Sequence, residues 1–162
     1  MISILEPEML LINKLHQPLQ KMAIDFILEA KTSGLNIEAF STYRSPEEQD
    51  ALYFKGRDNN GNVVNRDEIV TNARGLMSWH NYRLALDVVF KSVSGNWTWN
   101  APELDWKKLG EIGKKHGFEW GGDWHFQDLP HFQYTKGIEG LLIARHIYEG
   151  EGLDGVLRMI KV

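Results

Sequence analysis

His80, Asp87, Asp128 and His131 carry the chemistry most easily read from this sequence. They fall in two segments, Ser78-Trp79-His80-Asn81-Tyr82-Arg83-Leu84-Ala85-Leu86-Asp87 and Asp128-Leu129-Pro130-His131-Phe132. Together the segments offer two histidines and one carboxylate as metal ligands, with a second carboxylate three residues before the last histidine. A catalytic zinc site needs that inventory: three protein ligands, a fourth position left for water, and a base to take the water's proton. The chain has no cysteine. Disulfides and a Cys-rich structural zinc site are therefore excluded, and a tightly held metal must rest on His with Asp or Glu.

The spacing sets a condition on the backbone. In a fully extended strand, seven positions would put His80 and Asp87 roughly 23 Å apart on opposite faces. They can share a metal only if the chain turns back between them, and Asn81 favours such a turn. Asp87 then lies on the strand that follows, with the small Ala85 on its side. Pro130 restricts Leu129 to an extended conformation just ahead of His131.

These segments resemble a family of zinc peptidases that includes D-Ala-D-Ala carboxypeptidases and the L-Ala-D-Glu peptidases of phages and bacteria. That family shows a Ser-x-His-x6-Asp segment and, some tens of residues later, a carboxylate-x-x-His segment. Ser78, His80, Ala85 and Asp87 match the first, and Asp128 and His131 the second. Upstream, Tyr43-Arg44-Ser45-Pro46-Glu47-Glu48-Gln49 looks like the family's Arg-Ser-x-x-x-Gln segment, and Trp120-Gly121-Gly122-Asp123-Trp124 fits the same pattern. The likeness runs from about residue 40 to residue 133, somewhat over half of the chain. Arg83 departs from it, standing where the family usually has Gly.

The resemblance implies that His80, Asp87 and His131 bind Zn2+. Asp128 is the candidate base, taking a proton from water and handing it to the departing amine. Arg44 is the candidate stabiliser of the developing oxyanion, or the clamp on a substrate carboxylate. Ser78 is read as a substrate contact or as the group that orients His80, and Gln49 as a buttress for Arg44. His125 is the nearest rival ligand and Asp123 a rival carboxylate better suited to tying down a loop or supporting a ligand. His16, His116 and His146 read as surface groups, and Trp79 and Trp124 as candidates to line a cleft. The implied activity is hydrolysis of the peptidoglycan stem peptide at the L-alanyl-D-glutamate bond, in a phage or prophage endolysin. The alternatives are a D-Ala-D-Ala carboxypeptidase or dipeptidase of the same family and a non-catalytic metal-binding relative.

The rest of the chain must position these groups. The 162 residues read as one domain, with 138–162 a C-terminal helical extension packed on it. Leu11, Leu15, Leu19, Met22, Ala23, Phe26 and Ile27 recur at helical spacing up to a stop at Gly34, with a break or kink at Pro18. Residues 36–40 and 84–89 read as strands, and 92–99 as a hairpin turn into another. Ser45-Pro46-Glu47-Glu48 is a helix start with Ser as N-cap and Pro at the first position. Residues 102–116 form a helix with Leu104, Leu109 and Ile112 facing inward. Residues 118–124 and 131–134 are short strands, and 141–160 is helical with an interruption near Gly150-Glu151-Gly152. The order implies an α+β fold whose small antiparallel sheet bears the zinc cleft, flanked by helices.

Composition bounds the partners. A net charge of −4 argues against nucleic acid, whose binding needs clustered Lys and Arg. No run approaches the roughly 18 apolar residues of a membrane span, so no membrane insertion is expected. Residues 1–8 show no basic stretch before an apolar run, as a secretory leader would. The expectation is a monomer made in the host cytoplasm that acts on the cell wall after release.

Overall fold

The computed structural model describes residues 3–162; Met1 and Ile2, the start of the stretch read for a leader, lie outside the described residues. Helices α1 (Glu6–Ile12) and α2 (Gln17–Thr32) open the chain. The break between them precedes Pro18, which sits in the first turn of α2, where its missing N–H leaves no bond unmade. Gly34 ends the segment at φ +90°. Strand β1 (Ile37–Ser41) and helix α3 (Pro46–Tyr53) follow. Ser45 caps α3 reciprocally: its Oγ accepts from Glu48 N, and Ser45 N donates to Glu48 Oε2.

Strands β2 (Ala85–Lys91) and β3 (Trp97–Thr98), helix α4 (Glu103–Lys115), strands β4 (Glu119–Trp120) and β5 (His131–Gln133), and helix α5 (Leu141–Met159) complete the order. The sheet runs β1-β2-β5-β4, with β3 paired to the far end of β2, and every pairing is antiparallel. The fold is α+β, as expected.

Register divides the sheet into two chemically distinct faces. Leu86 stands opposite Phe132, so Leu86, Val88, Phe90 and Phe132 share the buried face. That face packs on the helices: the Phe132 ring lies 4.7 Å from Phe26 of α2, and the Phe90 ring 4.7 Å from Trp106 of α4. Gly113 makes the fit possible, because a Cβ there would come within 2.4 Å of the Phe132 ring. Asp87 pairs with His131 and with Ser41, which puts all three on the opposite face.

Two expectations about the helices need correction. Leu104 is exposed, and Trp106 is buried in its place. With α4 starting at Glu103, the inward stripe is Trp106, Leu109 with Gly110, and Ile112 with Gly113. The strand expected over 118–124 shortens to β4, after which the chain turns through Gly121–Asp123. Helix α5 is interrupted where the glycines predicted it, at Gly152 (φ 69°, ψ −170°). Its Tyr148 ring lies 6.0 Å from Tyr82, so α5 backs the turn that carries His80.

Candidate metal centre

The turn between His80 and Asp87 forms as the spacing requires, though through a different residue. A short 3-10 helix, Trp79–Tyr82, is capped by Ser78, and Arg83 reverses the chain in the left-handed region (φ 60°, ψ 27°). A glycine at position 83 would meet that conformation without strain, which is the physical reason for the family preference. The reversal brings His80 Nε2 to 3.2 Å from Asp87 Oδ1. On the neighbouring strand, His131 Nδ1 stands 3.2 Å from the same oxygen.

The hydrogen bonds behind these rings decide what they present. His80 Nδ1 lies 2.5 Å from the Thr42 carbonyl oxygen, which can only accept, so Nδ1 carries the proton. Gln133 Nε2 donates to Glu119 Oε2, which turns Gln133 Oε1 toward His131 Nε2 at 3.1 Å. That ring nitrogen therefore donates. When neutral, each ring directs a lone pair at Asp87, and three potential ligand atoms, one from each residue, lie within 4.8 Å of one another. A cation satisfies such a set. Ligand atoms around a tetrahedral zinc lie about 3.4 Å apart, given Zn–N and Zn–O bonds near 2.1 Å; both histidine nitrogens stand 3.2 Å from Asp87 Oδ1, a spacing that suits a zinc ion.

Without a metal, electrostatics favour a proton at the same place. Burial pushes the Asp87 carboxyl up, but His80 and His131 outweigh it and hold the group well below the usual carboxylate range. Burial pulls His131 down, while its bond to Asp87 and that carboxylate's charge prevail and raise it. A proton and a metal ion compete for the same His131 lone pair.

A cleft of about 770 Å³ opens over these groups, and Arg44, Ser78, His80, Asp87, Asp128 and His131 all line it. Every residue singled out for a site role thus reaches one place. Asp128 is held by its backbone: Asp128 N donates to Gly121 O, and His131 N to Asp128 O. A Cβ on Gly121 would meet the Asp128 carbonyl oxygen at 2.4 Å, so this close approach demands glycine. More than a third of Asp128 stays open to solvent, yet the cleft walls desolvate its carboxyl and raise its pKa.

Arg44 makes no ion pair with Glu47 or Glu48 among the described residues. Its Nη1 donates to Gln49 Oε1 at 2.8 Å and its Nη2 to Ser41 Oγ at 3.2 Å, with Asp87 Oδ2 3.9 Å away. Gln49 is buried and ties itself to the Ala73 carbonyl, so it does buttress the arginine. Ser78 Oγ accepts from His80 N and orients the turn.

The rivals fall away from the centre. Asp123 faces solvent and pairs with Lys114, which removes it as a support for a ligand. His125 is exposed and meets the Phe126 ring edge-on. His116 is half-buried against Phe26 and paired with Glu29 rather than a free surface group. Sequence reasoning missed Thr42, Gln133 and Glu119. Only Gln133 had a signal, because two residues beyond His131 on a strand means the same face.

Comparison with known proteins now bears on this site. The family profile described as D-alanyl-D-alanine carboxypeptidase matches residues 71–134, which contain both ligand segments. The peptidoglycan L-alanyl-D-glutamate endopeptidase CwlK of Bacillus subtilis is 37% identical over 129 residues, covering 75% of this chain and 74% of its own length. The chain belongs to this peptidase family. The L-alanyl-D-glutamate peptidase of a Listeria phage is 30% identical over 148 residues, 88% of this chain but only 42% of the phage protein. Among solved structures, a mutant vancomycin resistance D,D-pentapeptidase VanY in complex with Zn(II) shares the fold. Its TM-score is 0.57 at 18% identity, over 88% of this chain and 83% of that one. Membership makes the protein a metallopeptidase. Among the described residues, no helix is long and apolar enough to cross a membrane.

Proposed function

We propose that this peptidase is zinc-dependent and hydrolyses the L-alanyl-D-glutamate bond of the peptidoglycan stem peptide, serving as a phage or prophage endolysin. The observation that carries the reading is the convergence of His80, Asp87 and His131, as three acceptors, on a cleft that Asp128 and Arg44 also line. The names of the Bacillus and Listeria phage relatives support the bond, and the phage relative supports the lytic role. Residues 1–162 act as one catalytic domain, with 138–162 bracing the His80 turn, and the working unit is a monomer that binds no nucleic acid.

In this reading His80, Asp87 and His131 hold the metal. Zinc, when bound, supplies Lewis acidity at the scissile carbonyl and activates the attacking water. Asp128 accepts the water's proton and delivers it to the amide nitrogen as the bond between the L-alanyl carbonyl carbon and the D-glutamyl nitrogen breaks. Arg44, fixed by Gln49 and Ser41 with further N–H groups to spare, stabilises charge on the carbonyl oxygen or grips a substrate carboxylate. Ser78 holds His80 in place and borders the substrate.

Mass spectrometry of products from purified peptidoglycan tests the reading. The expected products expose a new D-glutamyl amino terminus and leave L-alanine on the sugar. Release of free D-alanine instead would assign the chain to carboxypeptidase action. Intact peptidoglycan after incubation with the zinc-loaded protein would make it a non-catalytic binder.

A further inference from the structure

The sheet face that carries Asp87 also carries an exposed aromatic cluster that the peptidase chemistry does not use. Lys91 pairs with Trp97 across β2 and β3, so Trp97 shares the face of Asp87, four residues along, and Trp99 follows two residues later. Phe40 sits at the irregularity of β1 between Ala39 and Ser41. Its ring meets both indoles edge-on, 5.1 Å from each at an angle of 89°. Phe40 and Trp99 belong to the cleft wall.

The cluster is open yet held firmly. Trp97 is 60% exposed, Trp99 51% and Phe40 36%. Three touching aromatics left in water forgo roughly 25 cal/mol for each Å² that burial would remove, and such a patch marks a binding surface more often than a lone exposed residue does. Trp97 Nε1 donates to Glu38 Oε2 at 2.8 Å, and Lys91 Nζ holds the other carboxylate oxygen at 2.8 Å. An indole pinned at its N–H has little rotamer freedom left to lose when a flat ligand stacks on it.

The substrate supplies that ligand if the L-alanyl-D-glutamate reading holds, and the inference rests on it. In peptidoglycan the L-alanine nitrogen is acylated by the lactyl ether of N-acetylmuramic acid. One amino acid and one lactyl unit of similar length therefore separate the scissile carbonyl from the sugar, about 7 Å when extended. The aromatic cluster begins at Phe40, next to the Ser41 that pairs with Asp87, and reaches Trp97 opposite Lys91, about 13 Å from Asp87 along the strand. A pyranose ring beginning about 7 Å from the cut bond falls within that range. Cleavage at D-Ala-D-Ala would put four amino acids and the lactyl unit in between, about 17 Å, and carry the sugar past the cluster.

We propose that Phe40, Trp97 and Trp99 form a subsite for the N-acetylmuramyl ring, which stacks its apolar face on the indoles and sets the register of the stem peptide in the cleft. The test compares kcat/KM for two soluble substrates with the same stem peptide, one carrying the muramyl disaccharide and the other an acetyl cap. The wild-type protein prefers the sugar-bearing substrate by about tenfold or more, or about 1.4 kcal/mol. Trp97→Ala and Trp99→Ala lose that preference, and Trp97→Phe, which keeps a stacking ring and the strand, retains most of it. Equal wild-type kcat/KM on the two substrates overturns the subsite and leaves the bond assignment standing. A preference that survives in both alanine variants also overturns it. Failure to cut the L-alanyl-D-glutamate bond in either substrate overturns the bond assignment, and the subsite with it.

Discussion

Gln133 Oε1 lies 3.1 Å from His131 Nε2, and the nitrogen of the same amide donates to Glu119 at 3.0 Å. The glutamate fixes which way the amide points, the amide fixes the ring's tautomer, and the ring is left with its lone pair toward Asp87. Such supports behind ligands affect metal affinity by about 10–100-fold. Gln133→Leu keeps the strand but removes the acceptor. Its zinc dissociation constant, measured by competition with a chelator, rises within that range while the far-UV circular dichroism stays unchanged. An unaltered constant would show that the amide does not orient the ring.

The raised pKa of His131 predicts a pH dependence of metal binding. Without metal, the folded state holds the His131 proton more tightly than the unfolded chain, so this stabilisation is complete below the unfolded value near 6.5 and fades as pH rises through the folded one. Zinc needs the same nitrogen unprotonated. The rise in Tm on adding zinc should therefore grow as pH increases from about 6 to 8, with proton release on zinc binding visible in calorimetry run in different buffers. A Tm rise that shrank over this range would contradict the competition.

Asp128→Asn tests the proposed base separately from the proposed ligands. The amide cannot accept water's proton, yet it preserves the shape of the loop set by Gly121. Zinc binding persists, and kcat on a muropeptide falls about 100-fold or more, the usual contribution of a general base. Loss of zinc in this variant would move Asp128 into the ligand set.

That His80, Asp87 and His131 come together was legible through the resemblance of their two segments to the peptidase family, and β2, read over residues 84–89, through an apolar run containing Val88 and Val89. What escaped was tertiary. The Thr42 carbonyl that orients His80 is a backbone atom 38 positions away, and no side-chain pattern advertises it. Leu104 was misread on its apolar type alone: it lies five positions before Leu109, about 140° around the helix, whereas Trp106 lies three before it, on the same face. The aromatic cluster was invisible because it depends on a register, Lys91 opposite Trp97, that brings a hairpin beside a strand bearing the site.

Gly113→Ala tests whether core packing sets the site's geometry. The added methyl would lie 2.4 Å from the Phe132 ring, and Phe132 separates His131 from Gln133 on β5. Overpacking of this kind costs about 1–3 kcal/mol. The Tm falls, and zinc affinity falls with it as the strand shifts. A loss of Tm with zinc affinity intact would mean that the helix yields rather than β5.

Arg83→Gly addresses the chain's departure from its family. Arg83 adopts φ 60° at a cost of about 1 kcal/mol for a residue with a Cβ, and glycine removes that strain. Against this, glycine adds about 0.5–1 kcal/mol of backbone entropy loss. The guanidinium, 5.0 Å above the Tyr43 ring, gives up a contact of about 0.5–1 kcal/mol. The terms nearly cancel, so stability changes by less than about 1 kcal/mol. Arg83 is absent from the cleft wall, so KM for a muropeptide stays within about twofold. Arg83→Val is the contrasting case: a β-branched side chain in the left-handed region strains the turn, and both Tm and zinc affinity fall. A tenfold rise in KM for Arg83→Gly, equivalent to about 1.4 kcal/mol of lost binding, would instead make Arg83 a substrate contact.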